Sequence, residues 1–182
     1  MNLVGNLLIA PPAVKTNFWH KTVVLVTEHH ANGSLGLVLN KRSELSVRDF
    51  GKQLGVDLDM PGFLYVGGPI NVQSLSFLHS TEWSSKNTMQ LGQHFRISSA
   101  EDIIPRLVMG DRPARGRLFL GMCGWAPNQL IDEMRGKPPR SHKDSWCLAT
   151  ADLDIVFNSD DKEQWCNAVD RSGQEFAKNL LL

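Results

Sequence analysis

The chain has 182 residues, 42% of them apolar, with 19 Lys plus Arg against 19 Asp plus Glu, 15 Gly, 9 Pro, 3 Cys and 5 Trp. One domain of this length buries a core without a disulfide or metal, which excludes intrinsic disorder and a stapled miniature scaffold. Zero formal charge argues against a coat for nucleic acid or anionic membrane, because both rest on a net positive field.

Residues 3–9 read as a short strand stopped by Pro11-Pro12, and the β-branched run 22–27 (TVVLVT) as a buried strand. A turn at Ala31-Asn32-Gly33 followed by the apolar stretch 35–39 predicts a hairpin at the centre of a sheet. Ser46 suits the N-cap of a helix over 47–54 that stops at Gly55. Strands follow at 63–66, closed by Gly67-Gly68-Pro69, and at 73–79. The period-two pattern of 89–97 puts Met89, Leu91, Gln93, Phe95 and Ile97 on one face of a further strand. Ser98-Ser99 with Glu101-Asp102 starts a helix ending at Gly110, where Pro105 requires a late start near Ile104 or a bend. Strand 117–122, helix 127–135, strands 146–150 and 155–157 and an amphipathic helix 161–171 complete the chain. The expected class is α+β: one compact domain over 1–182, with a mixed or largely antiparallel sheet and about four flanking helices.

Residues 1–10 hold no Lys or Arg, and the prolines cut the segment short, so neither a signal peptide nor a spanning helix is expected. Cys123, Cys147 and Cys166 form no C-x-x-C pair. They read as reduced thiols of a cytoplasmic protein, with no metal, cofactor or membrane partner expected. Residues 1–109 carry nine basic and eight acidic side chains, 110–143 seven and three, and 144–182 three and eight. The basic block, Arg112, Arg115, Arg117, Arg135, Lys137, Arg140 and Lys143, either packs against the acidic tail or offers a face to an anion or RNA.

Walker A, dinucleotide, H-E-x-x-H and G-x-S-x-G strings are absent, which disfavours an enzyme. Four segments remain. Cys123, in Gly121-Met122-Cys123-Gly124-Trp125-Ala126-Pro127, is expected on a strand-to-helix turn where a helix dipole would favour its thiolate; the rival reading is a small buried thiol. Glu28-His29-His30 ends a strand, so Glu28 and His30 face one side and His29 the other. Gly67-Gly68 permits close approach of backbone to a ligand or to another strand. Gln129 and Glu133, at i and i+4, point the same way from one helix.

In order, Leu7-Leu8-Ile9-Ala10 with Pro12, Lys21-Thr22-Val23-Val24, Glu28-His29 with Gly33, and Gly36-Leu37-Val38-Leu39-Asn40-Lys41 begin a pattern. Tyr65-Val66-Gly67-Gly68-Pro69, Phe77-Leu78-His79, Leu120-Gly121, Gly124-Trp125 and Gln129-Leu130 with Glu133 continue it. This series resembles the YqgE/AlgH family of bacterial proteins over nearly the whole chain. Departures are Lys21, Arg42, Cys123 and Ile131, where the family usually has Arg, Pro, a small residue and an acid; the third weakens a thiol mechanism. The resemblance implies a compact α+β fold without a DNA-reading helix, although some members are called transcriptional regulators on genetic grounds.

The expected function is a binding or indirect regulatory protein for an unknown small molecule or protein, with direct DNA binding disfavoured. Its cleft would gather Glu28, His29, Asn40, Gly67, Gly68, His79, Gly124, Trp125, Gln129 and Glu133 at glycine-rich strand ends. The alternatives are a hydrolase using Cys123 or a Glu28/His29 pair, and anion or RNA binding through 112–143.

Overall fold

The computed structural model describes residues 2–15, 18–138 and 142–180. Arg140, of the basic block, lies outside them. Strands β1 (Asn6–Ile9), β2 (Val23–His30) and β3 (Gly33–Val38) are antiparallel neighbours, β2 and β3 forming the expected hairpin. Strand β4 (Arg42–Ser46), which its polar sequence RSELS conceals, leads into α1 (Val47–Gln53) and pairs with β5 (Phe63–Val66). Ser46 caps α1, its hydroxyl accepting from the Asp49 amide at 3.0 Å.

The remaining strands are β6 (Ile70–Ser80), β7 (Met89–Leu91), β8 (Phe95–Ser99), β9 (Gly116–Trp125) and β10 (Cys147–Thr150). The sheet runs β10-β1-β2-β3-β9-β6-β8-β7, with β5 joined to β9 as its one parallel pairing among the described residues. Helices α2 (Ala100–Val108), α3 (Gln129–Met134) and α4 (Gln164–Leu180) complete an α+β domain.

Several sequence expectations are corrected. Residues 89–97 are a hairpin rather than one strand, with Gly92 at φ +61° between its arms. Met89 pairs with Ile97 and Leu91 with Phe95, so both arms show one apolar face and the alternation survives the fold-back. Helix α2 begins at Ala100 with Pro105 inside it, not near Ile104. Helix α3 begins at Gln129, and Pro127 stands before its N-cap Asn128. Residues 155–157 lie in a π-helical turn (Asp154–Asn158), whose Ile155 carbonyl accepts from the Gln164 amide at 2.6 Å. Helix α4 runs nine residues beyond the predicted end at Arg171.

Apolar residues collect in three clusters. The first, with Leu7, Leu25, Leu37 and Phe119, lies under α4; the second, with Val24, Cys123, Trp125 and Trp146, lies against α3; the third, with Phe77, Trp83 and Leu118, lies under α1 and α2. Full burial of each large side chain is worth about 1.5–3 kcal/mol. Strand β9 serves all three, because its early residues pair with β6 and β5 and its last three with β3. No helix among the described residues is long and apolar enough to cross a membrane.

Candidate functional site

The glycine-rich segments meet at the point where β9 changes partners. The Gly67 amide donates to the Leu120 carbonyl and the Gly67 carbonyl accepts from the Val38 amide, both at 2.8 Å. The 67–68 segment is thus inserted between β3 and β9. A Cβ on Gly67 would stand 2.3 Å from the Gly121 carbonyl oxygen, and one on Gly68 2.2 Å from the Met122 carbonyl carbon. Gly121 itself is at φ +74°. On the open side of β9, the missing Cβ of Gly124 makes room for Ile70. The close approach expected of these glycines is therefore backbone against backbone.

The expected turn around Cys123 is strand: residues 121–125 belong to β9, and Cys123 pairs with Gly36. Burial pushes the Cys123 thiol up to about 12, so it stays protonated, and its Sγ donates to the Gly67 carbonyl at 3.4 Å. A thiolate needs a polar or cationic setting. This environment removes Cys123 as a nucleophile and realises the alternative of a buried small thiol.

Trp125, Gln129 and Glu133 do meet. Glu133 accepts from the Trp125 indole at 3.3 Å, from the Trp146 indole at 2.8 Å and from the Gln129 amide at 2.9 Å. Gln129 also accepts from the Ala126 amide at 2.9 Å, fixing the start of α3. The i, i+4 spacing indicated the Gln129–Glu133 contact, but no local signal points to Trp146. His29 lies beside this cluster, its Nδ1 2.8 Å from the Ser34 hydroxyl, and Ser34 pairs with Trp125 across β3 and β9. Asn40 is elsewhere and bridges backbone, accepting from the Val23 amide at 3.1 Å and donating to the Lys21 carbonyl at 2.8 Å.

Glu28 faces a different space. As strand alternation requires, it shares a side with His30 (3.5 Å) while His29 turns away, which separates Glu28 from His29 as an acid–base pair. A bulge between Val26 and Glu28 re-aims this strand end. Glu28 lines a cleft of about 170 Å³ together with Ser74, Ser76 and Ser99 and the apolar Leu35, Leu37 and Met122. Ser76 and Ser99 are direct cross-strand partners, so their side chains share a face. The Ser99 hydroxyl oxygen is buried without a hydrogen-bond partner. Ser99 is read from the sequence only as a residue at a helix start, and Ser74 and Ser76 are marked only by their alternation along 73–79.

His79 is 0% exposed, with Nδ1 2.9 Å from the Ser80 carbonyl and Nε2 2.9 Å from the Ser98 hydroxyl. A carbonyl only accepts, so the proton resides on Nδ1 and Ser98 donates to Nε2. Ser98, itself 2% exposed, is also among the residues that line the cleft. Burial lowers the His79 pKa below its ordinary 6.5. The unfolded imidazole takes a proton near pH 6.5 and the folded one resists it, so stability is level above that value and falls as pH drops below it. Chemical denaturation from pH 7 to 5 should show that decline, and His79→Gln should flatten it.

The described residues of the basic block are divided between two places along the chain. Arg112 and Arg115 precede β9, whereas Arg135 and Lys137 follow α3 beyond its other end, and ten strand residues span about 33 Å. Arg112 donates to the Asp59 carbonyl at 3.2 Å, and Lys137 pairs with Asp132 at 2.6 Å within its own block. Arg117 reaches the acidic tail, 3.9 Å from Asp161, whose carboxylate also accepts from the Tyr65 hydroxyl at 2.9 Å. Among the described residues no group of three or more His, Cys, Asp or Glu could hold a metal ion.

Comparison with known proteins extends the resemblance read from the motifs. An AlgH-like family model matches residues 7–177. A UPF0301 protein of Gluconobacter oxydans is 30% identical over 174 residues, 93% of this chain and 90% of that protein. One of Methylococcus capsulatus is 31% identical over 183 residues, 96% and 92% of the two chains. The solution structure of the AlgH protein from Pseudomonas aeruginosa superposes with a TM-score of 0.73 at 27% identity, covering 93% of this chain and 88% of that one. With the family model matching from β1 into α4, this chain belongs to the AlgH-like family.

Proposed function

We propose that the protein is a small-molecule-binding module whose site is the Glu28 cleft. The observation that carries this reading is the buried Ser99 hydroxyl, unpartnered in a residue that lines the same cleft as the Glu28 carboxylate. A buried polar atom left unsatisfied costs about 1–3 kcal/mol, and a ligand hydroxyl or amine would recover that cost. A cleft of about 170 Å³ holds roughly six water volumes, so the ligand is compact, with polar groups for Glu28 and Ser99 and an apolar edge for Leu35 and Met122. Any regulatory role follows from occupancy of this cleft rather than from contact with DNA.

A thermal-shift screen of small polyols and amino alcohols tests the proposal. A compound at 100 times its dissociation constant should stabilise the wild type by about 2.7 kcal/mol. Ser99→Ala should leave the unliganded protein as stable or slightly more so, because it deletes an unsatisfied group, yet it should lose the shift. Glu28→Gln should weaken the shift. Shifts equal in wild type, Ser99→Ala and Glu28→Gln would place binding elsewhere and end the proposal.

A further inference from the structure

A larger cavity lies away from the Glu28 cleft, between the last turns of α4 and the β1–β10 end of the sheet. It is a groove of about 620 Å³, within the usual range for ligand pockets of roughly 300–1,000 Å³. Val169, Gly173 and Phe176 line it along one face of α4, and Ile9, Pro11 and Pro12 stand opposite. Val169 packs against the core, but Phe176 is 67% exposed. The apolar stripe of α4 therefore continues past the apolar surface that the sheet supplies to cover it.

The helix is held in that overhanging position by its polar side chains. Strand β10 is the outermost strand at this end of the sheet. Ser172 donates to its Leu148 carbonyl at 2.8 Å, and Glu175 accepts from its Thr150 amide at 3.2 Å. These bonds block the strand edge and fix the width of the groove. Gly173 supplies a second observation. A Cβ there would meet nothing within 4 Å, so packing within the chain does not require glycine, although glycine is the poorest helix former after proline. Its effect is to deepen the groove.

The lining fixes the chemistry of the occupant. Among the described lining residues Glu175 is the one charged side chain, and none is Lys or Arg. Its carboxylate retains free lone pairs after serving Thr150. We infer that the groove binds a compact cationic amphiphile, an amine whose aliphatic or aromatic body lies on Val169, Gly173 and Phe176 with its ammonium group at Glu175.

Displacement of Nile red from the full chain at neutral pH, with octylamine, octanol and octanoate below their aggregation thresholds, tests this inference independently of the Glu28 cleft. Octylamine should bind at least tenfold more tightly than octanoate. Glu175→Gln should bring amine and alcohol to equal affinity. Gly173→Phe, which fills open space and improves the helix, should remove binding without lowering Tm. Octanoate binding as tightly as octylamine, or octylamine binding unchanged in Gly173→Phe, overturns the inference. So does concentration-dependent self-association of the wild type that Gly173→Phe abolishes, because a second copy would then be the occupant.

Discussion

Gly68→Ala is expected to lower the stability of the fold by about 3–5 kcal/mol, in the upper range for a single substitution. The added methyl would lie 2.2 Å from the Met122 carbonyl carbon and 2.5 Å from the Cys123 amide nitrogen. Both are backbone atoms of the central strand, so no rotamer change relieves the overlap. Either the 67–68 segment moves off β9 or β9 parts from β3, and both break hydrogen bonds that join the two halves of the sheet. Gly173→Ala is the control: its Cβ meets open space, and replacing glycine within a helix gains about 1 kcal/mol. Urea denaturation of the two variants should displace the midpoint in opposite directions. If Gly68 served a ligand and not the sheet, Gly68→Ala would retain nearly full stability, and that result would refute the structural account.

Glu133→Ala should cost about 2–4 kcal/mol. Trp125 and Trp146 are 7% and 5% exposed, and deletion of the carboxylate removes the acceptor of both indole N–H groups, whereas the exposed Gln129 amide turns to water. Each buried donor left unsatisfied costs about 1–3 kcal/mol. Glu133→Gln should fall between, since its amide oxygen still accepts while its NH2 group confronts a donor. Denaturation followed by tryptophan fluorescence reads the loss. A carboxylate reserved for ligand binding would behave oppositely, its removal leaving stability unchanged or improved, so an unchanged midpoint would return Glu133 to the functional candidates.

The elements most legible in the sequence were those specified by neighbours in the chain. The β2–β3 hairpin, the Ser46 cap of α1 and the Gln129–Glu133 contact each depend on residues within a few positions, where periodicity and capping chemistry operate. The errors share a cause as well. Residues 89–97 folded back because alternation is the same in a strand and in a hairpin whose arms share a face. Residues 155–157 became a π-helical turn because Gln164, which binds the carbonyls of Ile155 and Val156, lies seven residues beyond the segment.

The candidate site was legible as a set of residue types but not as an arrangement. Strand alternation separated His29 from Glu28, yet nothing local showed that His29 would approach Trp125 or that Glu28 would share a cleft with serines of β6 and β8. Those meetings depend on β9, which crosses from β3 to β5 and β6 and so determines which strand ends share a space. The sequence by itself determined the class, the family motifs and the faces of individual strands, because these follow from local backbone periodicity and residue order. Only the tertiary structure decided that Gly67 and Gly68 meet backbone, that Cys123 is sealed in the core and that α4 overhangs an open groove. Each of these rests on contacts between residues distant in the chain, which periodicity does not encode.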